Sequence, residues 1–136
     1  MKAILFAVML AAFGSPAATG DVQVVANSAL TVSELRADEL KDIFLGGRTS
    51  VGGVGVEAVF AESGAAHETF LRTYLGKSDT TLRNYFKTLV FTGRGTQPKA
   101  FGSDAEVLKY VASTKGAIGY VSASADTAGV KRVQVR

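Results

Sequence analysis

The chain is 136 residues long, and 15 lysines and arginines against 12 acidic residues give it a net charge of +3 at pH 7. It contains no cysteine, which excludes disulfides, thiolate metal sites and a lipid-modified cysteine. The charge is too small for a nucleic-acid-binding protein, and the length fits one domain that buries its own core.

The first 20 residues have the pattern of a secretory signal peptide. Lys2 gives a positive start, residues 3–13 are uninterruptedly apolar, and small residues follow up to Gly20. The apolar run is well short of the ~20 residues that span a bilayer. We therefore expect residues 1–20 to be removed on export, and residues 21–136 to form one periplasmic domain with no stable membrane anchor.

Apolar periodicity predicts alternating strands and helices from the start of this domain. Residues 21–26 alternate as a strand does, and residues 54–61 predict a second strand. Residues 37–45 predict a helix that ends at Gly46 and Gly47. Its apolar face consists of Leu40, Ile43 and Phe44.

Two further helices follow the second predicted strand. One begins near Gly64 and stops at Gly76, with an apolar stripe of Phe70, Leu71 and Tyr74. Ser78 is the expected N-cap of the other, which ends near Phe91. Its apolar residues recur at helical spacing: Leu82, Tyr85, Phe86 and Leu89.

The last third of the chain predicts one more helix and two strands. Ser103 and Glu106 have the spacing of a capping box, and the helix that they open places Val107, Leu108 and Val111 inward. Residues 118–121 and 130–135 have the composition of strands. The alternation of strands and helices predicts an open α/β sheet covered by helices.

Three motifs carry a family resemblance: Asp-Ile-Phe-Leu-Gly-Gly at residues 42–47, Phe-Thr-Gly-Arg-Gly at 91–95 and Gly-Ala-Ile-Gly-Tyr-Val at 116–121. The chain resembles the phosphate-binding-protein-like family, the periplasmic solute-binding proteins of phosphate ABC transporters. The resemblance implies a single lobe of a type 2 periplasmic-binding-protein-like fold, an α/β fold with an open mixed sheet flanked by helices. Full-length members hold the anion between two lobes, and this chain is similar to short secreted members that carry one.

The turn Glu-Ser-Gly-Ala-Ala-His at residues 62–67 leads directly into a predicted helix. Free backbone N–H groups in the first turn of a helix, reinforced by its dipole, favour an anion. We therefore expect ligand-binding residues at Ser63, Gly64, Ala65, Ala66 and His67. The alternative is an ordinary helix start capped by Ser63.

The phosphate binders have the motif Arg-x-x-Gly-Ser-Gly-Thr-Thr at this turn. Here Phe60 falls on the arginine position, and Ala66 and His67 fall on the two threonines. Several side-chain donors of the family motif are therefore missing.

Two cationic side chains are further candidates. His67 is the only histidine and, once protonated, would contact an anion from the first turn of the helix; the alternative is a solvated surface imidazole. With no second histidine or cysteine, we expect no metal site. Arg94, between Gly93 and Gly95, would present its guanidinium group to an oxyanion, unless it is only a solvated loop charge.

The chain has no catalytic triad order and no nucleotide-binding glycine motif in a strand-turn-helix context, so we expect no enzyme activity and no cofactor. The sequence favours a periplasmic solute-binding-like protein that recognises phosphate or a similar small oxyanion, in connection with ABC-type uptake through a membrane transporter complex. The alternative is a non-catalytic interaction module of the same fold that docks on a transporter, porin or sensor.

Overall fold

The computed structural model describes residues 22–136, so the predicted signal peptide lies outside the described residues. The described chain contains four α-helices and nine strands, most of them short. The helices are α1 (Ala37–Phe44), α2 (Ala65–Phe70), α3 (Asp79–Phe91) and α4 (Asp104–Ser113). The strands are β1 (Val22–Ala26), β2 (Glu34–Leu35), β3 (Ser50–Val51), β4 (Val54–Gly55), β5 (Glu57–Ala58), β6 (Phe60–Ala61), β7 (Ala100–Phe101), β8 (Ala117–Ser122) and β9 (Lys131–Val135).

Five of the strands form one mixed sheet in the order β2-β9-β1-β8-β5. The central strand β1 pairs antiparallel with both β8 and β9, whereas β2–β9 and β5–β8 are parallel pairs. β6 continues the extended segment of β5 and pairs in parallel with β7, and β3 and β4 form a separate hairpin. The expected fold class, an open mixed sheet flanked by helices, is confirmed.

Side-chain alternation along β8 divides the core between the two faces of the sheet. Ile118 and Tyr120 belong to the larger cluster, which also contains the buried residues of α1 and α2 and those of α3. Ala117 and Val121 face the other way and pack with Val107 of α4. The sheet therefore carries three helices on one face and α4 on the other.

Most predicted elements are confirmed. The buried residues of α1 are the predicted Leu40, Ile43 and Phe44. Ser78 caps α3 by accepting a hydrogen bond from the Thr81 N–H. α2 continues into a π-helical turn, Leu71–Leu75, which ends as predicted at Gly76, in the left-handed conformation that favours glycine (φ 64°).

The predicted strand at residues 54–61 was wrong as a single element. The segment is extended, but it is divided into β4, β5 and β6, and each of these pairs with a different strand. The apolar pattern indicates an extended backbone, whereas the change of partner depends on the distant strands β3, β8 and β7.

Candidate functional site

A crevice with a volume of about 340 Å³ lies where the parallel strands β6 and β7 end. β6 leads through a short turn into α2, and β7 leads through Gly102 and Ser103 into α4. The first residues of both helices line the crevice, and Tyr120 and Ser122 of β8 form another wall. Ligand sites of open α/β sheets lie beyond the carboxyl ends of the strands, and the crevice occupies such a position.

The N-terminus of α2 begins with Gly64, whose φ of 109° suits glycine and few other residues. No side chain caps this helix end, so the interpretation of Ser63 as the N-cap was wrong. The N–H groups in the first turn of an α-helix have no partner within the helix. Ala65 and Ala66 line the crevice, so their N–H groups are its candidate donors to a ligand.

The N-terminus of α4 is capped by its own side chains. The Ser103 hydroxyl accepts a hydrogen bond from the Glu106 N–H at 3.2 Å, as the predicted capping box requires. The Glu106 carboxylate reaches one residue further back than predicted and accepts from the Gly102 N–H at 3.0 Å. The dipole of α4 therefore points its positive end at the crevice, but some backbone N–H groups at this end already donate to side chains.

Carboxylates make this crevice more acidic than a simple anion site. Asp104 lines it, half-buried, and its Oδ2 accepts hydrogen bonds from the N–H and hydroxyl groups of Ser122. Two further carboxylates lie beside Gly102, which lines the crevice. One oxygen of Glu62 and one of Glu106 are each 3.6 Å from the point where a Cβ on Gly102 would be. A bound oxyanion would consequently be attracted by both helix dipoles and repelled by the negative side chains.

His67 is not a solvated surface residue, so the alternative interpretation of its side chain was wrong. Its side chain is buried, with 3% of the residue exposed, and both ring nitrogens have partners. Nδ1 lies 2.5 Å from the Tyr120 hydroxyl oxygen, and Nε2 lies 2.8 Å from Asp79 Oδ1. With a neutral imidazole, the Tyr120 hydroxyl donates to Nδ1 and the Nε2–H group donates to Asp79.

This hydrogen-bonded chain continues at both ends. The Ala61 N–H donates to the Tyr120 hydroxyl at 3.1 Å, and Arg83 Nε donates to Asp79 Oδ2 at 2.6 Å. These hydrogen bonds link β6, β8, α2 and α3 directly behind the crevice. His67 therefore fixes the first turn of α2 against the sheet.

The contacts within this hydrogen-bonded chain shift the pKa values of two of its members. The Arg83 guanidinium group, together with His67, holds the pKa of the Asp79 carboxyl below its usual value. Burial raises the pKa of the Tyr120 hydroxyl above that of an exposed tyrosine. Asp79 is therefore ionised and Tyr120 protonated over the whole neutral range.

The structure brings together five of the six predicted site residues in this crevice: Ser63, Gly64, Ala65, Ala66 and His67. Arg94 lies elsewhere, in a second cavity that shares no lining residue with the crevice. Sequence reasoning did not include Asp104, Tyr120 or Ser122 in the site. Ser103 and Asp104 begin a second helix after a strand, and that pattern could have indicated them.

The described residues were also compared with the requirements of a metal site and of a membrane-spanning helix. Within residues 22–136, no group of three or more histidine and acidic side chains is placed to hold a metal ion. Over the same range, none of the helices combines the length and the apolar character that crossing a membrane requires.

No family model and no curated protein matches this chain. Among solved structures, it is similar to an ABC-type phosphate transport receptor from Vibrio cholerae, with 20% identity and a TM-score of 0.65 over 85% of this chain and 46% of the receptor. It is also similar to a Clostridium perfringens protein assigned as a phosphate ABC transporter substrate-binding protein, whose structure contains bound phosphate (22% identity, TM-score 0.62, 85% and 44% coverage). PstS from Borrelia burgdorferi gives 15% identity and a TM-score of 0.60, with 85% and 47% coverage.

These identities are low, so the likeness concerns the fold and not the ligand. The chain spans less than half the length of each of these proteins. The described residues therefore have the fold of one part of a phosphate ABC transporter substrate-binding protein.

Proposed function

We propose that the protein is an exported, periplasmic solute-binding-like protein that holds phosphate or a similar small oxyanion in the crevice between α2 and α4, in connection with ABC-type uptake. The observation that carries the proposal is the convergence of two helix N-termini on one crevice at the ends of two parallel strands. Both helix dipoles favour negative charge there. Solved proteins that share this fold include a phosphate transport receptor and a protein with bound phosphate, and the proposal takes its ligand class from them.

The donors in the proposed site are mainly backbone N–H groups of residues 64–67. The side chains that line the first turn of α2 are small at Ala65 and Ala66, and the His67 ring is fully engaged with Tyr120 and Asp79. Ser63 is exposed and lines the crevice, so its hydroxyl is an additional donor in this proposal. The role of His67 in this proposal is to position the amides.

The acidic side chains favour an oxyanion that keeps a proton. The Asp104 carboxylate repels a fully deprotonated anion but accepts a hydrogen bond from a protonated one. Phosphate keeps at least one proton near neutral pH, whereas sulfate keeps none. We therefore expect phosphate to bind in preference to sulfate.

Isothermal titration calorimetry of the purified protein at pH 7 tests this proposal. A hydrogen bond to a charged group contributes about 1.5–3 kcal/mol, so phosphate should bind at least about tenfold more tightly than sulfate. In Asp104→Asn, which retains an acceptor for Ser122, that preference should fall toward equality. No heat of binding with phosphate, or an equal affinity for both anions in the unchanged protein, would reject the proposal.

A second candidate function is a non-catalytic interaction module that docks on a transporter, porin or sensor. The observation that favours it is the C-terminal end of α3, where Phe91 is 92% exposed and Val90 is 47% exposed. Exposed apolar side chains mark a contact surface when they form a contiguous patch. Substitution of both by serine would abolish docking under this function and would leave phosphate binding unchanged under the first.

A further inference from the structure

A second cavity, with a volume of about 460 Å³, lies between the C-terminal end of α1 and the loop that follows α3. We call it the arginine cavity, after Arg48, which follows α1, and Arg94, which follows α3. Its size falls within the range of about 300–1,000 Å³ that is typical of small-molecule sites. It is separate from the crevice, and the proposal below does not rest on phosphate binding.

The charges around the arginine cavity are unbalanced. Arg48, Arg94 and Lys99 line it, and Glu57 is its only acidic lining residue. Glu57 is already engaged, because it accepts hydrogen bonds from Tyr110 at 2.8 and 2.9 Å and lies 3.8 Å from Lys99. Among the ion pairs of residues 22–136, none includes Arg48 or Arg94.

The floor of the arginine cavity is apolar. It is formed by side chains of α1 and α3: Ile43, Phe44, Phe86 and Leu89. Three of these four residues are almost completely buried, so the floor is part of the packed core and is fixed in place. A hydrated inorganic anion would use the arginines and make little contact with this floor.

We propose that the arginine cavity binds a small organic acid with an apolar body and a single carboxylate. The arginine guanidinium group presents a planar set of donors that matches a carboxylate with two parallel hydrogen bonds. The hydrocarbon part of the ligand would pack against the apolar floor, and the apolar surface of the ligand would leave water. The glycine-bracketed Arg94 therefore serves a ligand other than the oxyanion of the crevice.

Calorimetry with benzoate and hexanoate tests this proposal, with acetate as the ligand that lacks the apolar body and benzamide as the ligand that lacks the charge. We expect at least one of the two acids to bind, and acetate and benzamide to bind at least about tenfold more weakly, since each lacks one of the two contributions. If neither acid binds up to about 10 mM, an affinity of only about 3 kcal/mol, the proposal is overturned.

Variants locate the binding. Arg48→Gln and Arg94→Gln should each weaken binding of the organic acid about tenfold, because each removes a hydrogen bond to a charged group. Arg72→Gln is the matched control, because Arg72 is an exposed arginine that does not line the arginine cavity. Unchanged affinity in the double variant Arg48→Gln/Arg94→Gln would overturn the assignment even if the acids bind.

Discussion

The sequence around His67 indicates where the residue lies but not that its ring is buried. It lies in the first turn of α2, where a ligand would bind, yet its ring is buried and joins Tyr120 to Asp79. Its neighbours in sequence are alanine and glutamate, which are compatible with an exposed position. The partners that bury it are 12 and 53 residues away, so only the tertiary fold brings them together.

Tyr120→Phe tests the hydrogen-bonded chain at its most buried point. The substitution leaves the Ala61 N–H and His67 Nδ1 without their partner, and we expect a loss of about 1–3 kcal/mol in the free energy of unfolding. Urea unfolding measures it. Tyr74→Phe is the control, because no hydrogen bond of the Tyr74 hydroxyl is found within residues 22–136, and it should change stability little.

Alkaline pH adds a second readout for the same variant. Burial raises the pKa of Tyr120 in the folded protein above the value of about 10 that it has when unfolded. Its contribution to stability is complete below pH 10 and declines as pH rises toward the folded pKa. Tyr120→Phe should lack this part of the decline. If the free energy of unfolding falls equally with alkaline pH in both proteins, the Tyr120 hydroxyl is not buried as described.

Asp79→Asn tests the other end of the chain at acid pH. Arg83 and His67 hold the folded pKa of Asp79 below its unfolded value of about 3.9. The stabilisation is therefore present above about pH 4 and is lost as pH falls through the folded pKa. The variant should be less stable at pH 7, and its difference from the unchanged protein should shrink by pH 2.

Urea unfolding at a series of pH values measures this difference. Asp42→Asn is the control, since Asp42 is exposed on α1 and forms none of the ion pairs found in the described residues. A deficit for Asp79→Asn that is as large at pH 2 as at pH 7 would show that the carboxylate charge is not what stabilises the contact.

At the scale of secondary structure, the sequence predicts helices better than strands. Helix faces such as Leu40, Ile43 and Phe44, and caps such as Ser78, depend on residues within one or two turns. The short strands between residues 54 and 61 depend on three separate partners, which local periodicity does not specify. The same limit explains why the turn of the crevice was predicted but the contribution of Asp104 and Ser122 from two other elements was not.

Ala65→Pro tests whether the N-terminus of α2 donates to the ligand. Proline is tolerated at the first position of a helix, where its missing N–H group has no helical partner, so the variant should fold. Loss of one donor to a charged acceptor should weaken phosphate binding about tenfold. Calorimetry measures the affinity, and circular dichroism shows that α2 is retained.

Ala65→Gly is the matched control for this variant. It changes the same exposed side chain and keeps the N–H group, so its phosphate affinity should stay close to that of the unchanged protein. If Ala65→Pro also binds phosphate with unchanged affinity, the first turn of α2 is not the source of the donors.

At the scale of the whole molecule, the described fold corresponds to less than half of the phosphate receptors that it resembles. The crevice is lined by small residues at the start of α2. We therefore expect weak, millimolar binding unless another surface covers the ligand. Element order predicted the open α/β sheet covered by helices, and the family resemblance implied that this sheet is mixed. The separation of Arg94 from the crevice required the positions of two loops that no local pattern determines.

The most direct test of the central claim is a titration of isotope-labelled protein with phosphate, followed by the backbone amide resonances in two-dimensional NMR. We predict shifts that saturate in the millimolar range, are largest at residues 64–67 and extend to the start of α4. A ligand at about 100 times its Kd should also stabilise the fold by about 2.7 kcal/mol. Saturable shifts confined to other regions, or none at residues 64–67, would contradict phosphate recognition at this crevice.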